Sequence, residues 1–482
     1  MRTPIFEQIA SSKSIFTFRK RISRSVKKSN CHVTRIDVIN TQGVNKTYEI
    51  MPFTLLFLCC LIQLNHPTFA MFSMIWSKQS FFAIGVGAAR CRGKVVVSKF
   101  NSLCCNSSDY VESRVMSTTT RLHADATNFD YSTQEKPDIN VYYDSTNNQH
   151  RDISYHPECP DRIEVCVEAL NQGKKDNSFD NVHLIDVSGD YFTESELEYA
   201  RSLLVKVHSE DYVSLIQEKC TQARNRRIDE QKSPLGFIGY ADAGDTFMTT
   251  ETYNVCLRAA TSWIRAVDDS LSSRRPFAFS LTRPPGHHAT KYLINGFCFF
   301  NFAAAAAKHA IELGMKVSII DWDVHFGQGV ADILKDEKNA RYVSLHQAPA
   351  FPYEGERREI SGTYSNILTI PIQPESTWTC GYKSLLETHA IPFLIDEHWR
   401  PDCIIICAGY DALSEDELAS VNLNPNDYNG MISLIKARMS AYDIETSSIA
   451  LGLEGGYQVK PFSNKGLKEA FLQTLIALSE IN

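Results

Sequence analysis

The chain has 482 residues, 43% hydrophobic and 22% charged, enough apolar material for a sizeable buried core. Its net charge of −7 argues against a general nucleic-acid binder, whose phosphate contacts need clustered Lys and Arg. Fourteen cysteines with no C-x-x-C pair read as scattered core thiols, not as a disulfide framework or a thiolate zinc site.

The charge is uneven. Residues 1–50 hold ten Lys/Arg against three Asp/Glu, so an acidic body carries a basic N-terminal extension. Residues 53–64 (FTLLFLCCLIQL) are too short to span a membrane comfortably but have the length of a signal-peptide core. Met51 stands just before this run, and Thr68 and Ala70 suit cleavage after Ala70. Residues 71–108 carry Lys78, Arg90, Arg92, Lys94 and Lys99 and no acid, a transit-peptide composition. A signal followed by such a segment resembles the two-part plastid address of algae with secondary plastids; the alternative is a nuclear or cytoplasmic protein with a disordered extension. Residues 117–138, rich in Ser, Thr, Asn and Asp, read as a linker. Residues 1–136 are therefore expected to be a targeting segment and linker, largely disordered, with no transmembrane span in the mature protein.

From Ile139 the pattern changes. Short apolar runs at 139–143, 277–281, 317–321, 341–345, 367–372, 403–408 and 449–453 read as strands. Helical periodicity runs through 161–171, 250–269, 302–312 and 381–398. Near-continuous apolar strands alternating with helices predict one α/β domain over 137–482, with a mostly parallel sheet covered on both faces. Ligands of such sheets bind beyond the strands' carboxyl ends. Polar residues gather there: Arg283–His288, Asp321–His325, His346, Gly409–Asp411 and Glu454–Tyr457.

In Asp321-Trp-Asp323-Val-His325, Asp323 and His325 are two apart and face one side of an extended stretch. With Asp411 they make the three-ligand His/Asp set of a catalytic zinc site; such an oxygen-rich set also suits Fe(II) or Mn(II). His287 and His288 occupy a loop stiffened by Pro284 and Pro285, and amide hydrolysis needs the base and acid that histidines supply. Glu454-Gly-Gly-Tyr457 allows a tight turn that presents a phenol to a developing oxyanion.

Together, HPECPDR (156–162), RPPGHH (283–288), GFCFFN (296–301), DWDVHFGQG (321–329), SLH (344–346), AGYDAL (408–413) and EGGY (454–457) resemble the histone deacetylase family, closer to its class II branch. The resemblance implies a single arginase/deacetylase-like domain, α/β, with a central eight-stranded sheet. It implies Asp323, His325 and Asp411 as zinc ligands, His287 paired with Asp321, His288 as general base and acid, and Tyr457 on the substrate carbonyl. Gly296 would lend a carbonyl near the leaving amine. Phe297 and Phe351 would wall a lysine tunnel, with Arg162 near its inner end. A structural potassium would lie at Asp321, Asp323, His325, Ser344 and Leu345.

The implied reaction is zinc-dependent hydrolysis of acetyl- or acyl-lysine in histones or other proteins, with acetylated protein lysine as the partner and chromatin regulation as the setting. Leu418, seven residues after Asp411, is the rim position that is apolar in class II lysine deacetylases and acidic in polyamine deacetylases. It favours acyl-lysine over the alternative, an acetylpolyamine or small amide. Glu415, Asp416 and Glu417 stand beside it as further rim acids, and Asp245 is a weaker rim candidate. The chain departs from the family at Phe326, where a second histidine is usual, and at Gln328, where Asn or Asp partners the second catalytic histidine.

Overall fold

In a computed structural model the chain is described over residues 136–230, 236–242, 245–272, 276–444, 448–460 and 463–480. Paired backbone strands are also described within 34–95. The chain divides into two compact units, Met1–Ala124 and Asp125–Asn482. In the first, antiparallel pairs join Thr34–Ile39 to Asn45–Ile50, Met71–Ser77 to Ser80–Val86, and Arg90–Cys91 to Lys94–Val95. The signal-like run at 53–64, the cleavage position after Ala70 and residues 117–135 of the linker lie outside the described residues.

The second unit is built on one sheet. Its strands in chain order are β1 (Ile139–Tyr143), β2 (Val182–Asp186), β5 (Phe277–Leu281), β6 (Val317–Asp321), β7 (Ala340–Gln347), β8 (Glu359–Ser361), β9 (Ile367–Ile372), β10 (Cys403–Ala408) and β11 (Ser448–Leu453). The strands β3 (Phe237–Tyr240) and β4 (Phe247–Thr249) form a separate hairpin. Across the sheet the order is β8-β9-β7-β6-β10-β11-β5-β1-β2. Eight strands run parallel, and β8 adds an antiparallel edge. The expected eight-stranded parallel sheet is thus present, with one short strand beyond it.

Period-2 alternation assigns each strand's side chains to two cores. Ile404 and Ile406 of β10 join Ile320, Leu345 and Leu451 on one face. There they meet α1 (Asp161–Lys175), α9 (Pro425–Ala441) and α10 (Leu467–Ser479), through Leu170, Ile435 and Phe471. Cys403, Ile405 and Cys407 face the other side with Ile319 and Ala450. The helices there are α2 (Glu194–Val207), α3 (Glu210–Glu230), α4 (Thr252–Ser270), α5 (Phe302–Glu312) and α6 (Gln328–Leu334). Each fully buried Ile or Leu adds about 1.5–3 kcal/mol over exposure, which is why the strands are apolar on both faces.

The helix expected over 381–398 is broken. It runs as α7 (Tyr382–Leu385), a π-helical turn (Leu386–Ala390) and α8 (Ile391–Leu394). Pro392 has no N–H to donate, which favours the wider turn just before it. Among the described residues no helix is long and apolar enough to cross a membrane.

The topology places the site. β7, β6, β10, β11 and β5 are consecutive neighbours, so the polar strand ends singled out above emerge side by side.

Candidate active site

Asp323 and His325 leave the end of β6, and Asp411 leaves β10 beside it. The ligand atoms of the three buried residues lie within 4.8 Å of one another. His325 Nδ1 is 3.2 Å from Asp323 Oδ1 and 2.9 Å from Asp411 Oδ2. Backbone amides aim both carboxylates: Gly455 N–H donates to Asp323 Oδ2 (2.6 Å) and Val324 N–H to Asp411 Oδ1 (2.8 Å). A Cβ on Gly455 would fall 2.2 Å from Asp411 Oδ2 and 2.5 Å from Asp323 Oδ2, so only glycine lets the backbone come this close. Burial and the facing Asp323 raise the Asp411 carboxyl to about 6. Two buried carboxylates and an imidazole converging on one point, with no Lys or Arg among them, fit a divalent cation.

The two adjacent histidines differ. His287 Nδ1 is 3.1 Å from Asp321 Oδ2, which also accepts from the Tyr342 hydroxyl at 2.8 Å. Burial opposes its charged form, but Asp323 and Asp321 outweigh burial and raise His287 to about 10. His288 Nδ1 donates to Gln328 Oε1 at 2.7 Å. Burial, His287 and His325 hold His288 well below the usual histidine range. The surroundings therefore favour the charged form of His287 and the neutral form of His288, whose Nε2 is left to take a proton.

The loop after β11 clamps the histidine loop and carries the tyrosine. Glu454 Oε2 accepts from Gly286 N–H (2.6 Å) and His287 N–H (3.0 Å), and burial raises its carboxyl to about 7. Arg162 on α1 donates to Gly456 O (2.7 Å) and to Glu454 O. Its guanidinium lies 4.7 Å from the Tyr457 ring centre. Glu158 holds Arg283 through both oxygens (2.7 and 2.5 Å) and reaches Arg162 at 3.3 Å; all three are buried. Glu158, Glu454, Arg283 and Tyr342 were not singled out from the sequence for these roles. The usable signal was charge inside the strings already noted: Glu158 and Arg162 sit i,i+4, and Arg283 opens RPPGHH.

Phe297 and Phe351 are half-buried beside the histidines and Tyr457. Ring centres are 4.9 Å apart for His288–Phe351 and 5.8 Å for Phe297–Tyr457. Gly296 has φ +52°, and a Cβ there would lie 2.6 Å from the His288 ring. Ser344 pairs with Asp321 across β7 and β6, and Leu345 is buried next to it. Phe326 packs against the His346 ring at 4.8 Å, an apolar contact at the position where the family usually has a second histidine. Asp245 accepts from His156 Nε2 through its main-chain oxygen (2.8 Å).

Leu418, Glu415 and Glu417 are exposed, whereas Asp416, also named as a rim acid, is buried. It is 9% exposed and turned inward, because its carboxylate is taken up by the amides of Tyr457 and Leu418.

The sheet order and the polar strand ends define an α/β protein of the arginase/deacetylase type. The profile of the histone deacetylase domain matches residues 156–471, and the chain belongs to that family as a histone deacetylase-like hydrolase. It is 32% identical over 323 residues to an uncharacterized protein of Synechocystis sp., covering 67% of this chain and 94% of that one. It is 28% identical to histone deacetylase 14, chloroplastic, of Arabidopsis thaliana, covering 69% and 76%. The crystal structure of the HDA15 HD domain superposes with a TM-score of 0.58 at 24% identity, covering 71% of this chain and 89% of that one, a likeness of fold.

Proposed function

We propose that the protein is a zinc-dependent deacylase acting on acetyl-lysine side chains of proteins. The observation that carries this reading is the convergence of Asp323, His325 and Asp411, within 4.8 Å, beside a neutral His288 and a buried Tyr457. A zinc ion bound by those three residues would polarise the acyl carbonyl and acidify a water. The chain's own groups do the rest. His288 Nε2 takes the proton as the water oxygen attacks the carbonyl carbon. The Tyr457 hydroxyl donates to the oxygen that gains charge. The carbon–nitrogen bond then breaks, and His288 returns its proton to the lysine amine, leaving a carboxylate and free lysine. His287 is paired with Asp321, and burial together with this neighbouring imidazole favours the neutral form of His288.

Phe297 and Phe351 wall the lysine methylenes, Gly296 offers its carbonyl to the amine, and Leu418 at the rim favours a peptide over an acetylated polyamine. Asp321, Asp323, His325, Ser344 and Leu345 would hold a structural potassium, several of them through backbone oxygens. The N-terminal extension is a plastid address; two plant relatives named chloroplastic support this.

The test is Tyr457→Phe, with turnover measured on an acetyl-lysine peptide and on acetylated polyamines. The peptide is the better substrate, and its kcat falls roughly 10²–10³-fold, as for loss of one oxyanion donor. Unchanged turnover removes Tyr457 from the mechanism, and Leu418→Glu should move preference toward the polyamine.

A further inference from the structure

We propose that Asp416 is a positioning residue for Tyr457: its buried carboxylate fixes the turn that aims the phenol and ties that turn to the rim. This rests on the deacylase reading above.

The turn that presents Tyr457 has two glycines before it, Gly455 and Gly456, the latter at φ +113°. Such a turn has little stiffness of its own, so its anchors decide where the tyrosine points. Each residue has one. Gly455 N–H is fixed to Asp323, and Gly456 O to Arg162. Tyr457 N–H is fixed to Asp416 Oδ2 at 2.7 Å. The first two anchors hold main chain upstream of the tyrosine; the third holds the tyrosine itself. The other oxygen of Asp416 accepts Leu418 N–H at 3.0 Å, so one carboxylate spans the oxyanion donor and the rim residue. Further out, Gln458 Nε2 donates to Glu415 O (2.8 Å) and Ser463 Oγ to Glu415 Oε2 (3.0 Å). These outer bonds join the same two loops, whereas Asp416 takes the amide of Tyr457 itself.

Two amide donors meet two carboxylate oxygens. In Asp416→Asn one donor must face an NH2 group, at nearly unchanged volume, so the turn loosens without a cavity. A phenol displaced by about 1 Å loses alignment with the oxyanion, which costs roughly 10²-fold in rate.

The experiment is a double-mutant cycle on the full chain: wild type, D416N, Y457F and D416N/Y457F, with kcat and KM on an acetyl-lysine peptide. Hydrogen exchange over residues 454–458 is measured on wild type, D416N and D416A. D416N lowers kcat roughly 10–100-fold, more than it raises KM. In the Y457F background the same change costs less than about twofold, because there is no phenol left to aim. Exchange at 454–458 accelerates in D416N and further in D416A. An equal loss in both backgrounds, or D416N with wild-type kcat and wild-type exchange, overturns the proposal. A wild type inactive on the peptide, with exchange still faster in D416N, overturns the deacylase reading and leaves the anchor standing.

Discussion

Gly455 packs against two carboxylates of the site, Asp323, to which its N–H donates, and Asp411. Any Cβ there lies 2.2 Å from Asp411 Oδ2, so a methyl group cannot be added without displacing that carboxylate oxygen. Gly455→Ala should keep its far-UV circular dichroism yet lose zinc affinity, measured by titration against a competing chelator; a variant with wild-type affinity contradicts the ligand assignment. Gln328 poses a different problem. A carboxylate next to His288 would raise its basicity, whereas the Gln328 amide only orients the ring through its 2.7 Å contact. Gln328→Leu leaves Nδ1–H buried without that acceptor and the ring free to turn. Turnover should fall roughly 10²-fold, the low end of what a general base contributes, with KM little changed. Phe326 was legible as a departure from the family, but its partner was not, because stacking on His346 depends on a loop nine residues further along that brings Gly355 to that ring.

At the scale of elements, the start of α1 is held to the histidine loop by Glu158 between Arg162 and Arg283. Burial alone would raise the Glu158 carboxyl; Arg283, His150 and Arg162 overcome it and hold it near 2. A depressed carboxylate stabilises the fold above its unfolded value near 4.5 and loses that contribution as pH falls toward 2. The difference corresponds to about 3 kcal/mol. Thermal stability should therefore fall steeply below pH 4.5, and Glu158→Gln should flatten that limb while costing about 3–5 kcal/mol at neutral pH, since it leaves the buried arginines without their carboxylate. What was readable at this scale was apolar periodicity: β5, β6 and β10 match their expected limits because each is a continuous buried run, and β9 matches with Pro371 alone half-buried. Three features were not. β8 is three exposed residues that pair only because β9 lies alongside. The π-turn before Pro392 is a local compromise within a sound helical pattern. The inward turn of Asp416 depends on two amides, one of them 41 residues away. By contrast, α2 was readable and overlooked, for Thr193 and Glu196 form a capping box visible in the sequence.

At the scale of the molecule, four neighbouring strands of one sheet, β6, β10, β11 and β5, bring the cluster of Asp323, His325 and Asp411, the paired histidines and Tyr457 to a single rim of the second unit. Order along the chain did not disclose that adjacency: β10 lies between β6 and β11 although β7, β8 and β9 intervene in sequence. The parallel sheet nevertheless starts at β1, and Pro137 O already accepts a hydrogen bond from Asn181. A fragment of residues 137–482 should fold alone, unfold in one transition at the full chain's temperature, and keep its kcat. Because Asp323 and Asp411 are buried against each other, a bound cation should stabilise it by about 2.7 kcal/mol when present at 100 times its dissociation constant. Adding a chelator should lower the melting temperature by several degrees and abolish turnover, with zinc restoring both. Asp411→Asn should make the melting temperature indifferent to chelator. A fragment that aggregates would place part of the fold in the N-terminal extension, and one whose melting ignores chelator would take the cation away from Asp323, His325 and Asp411.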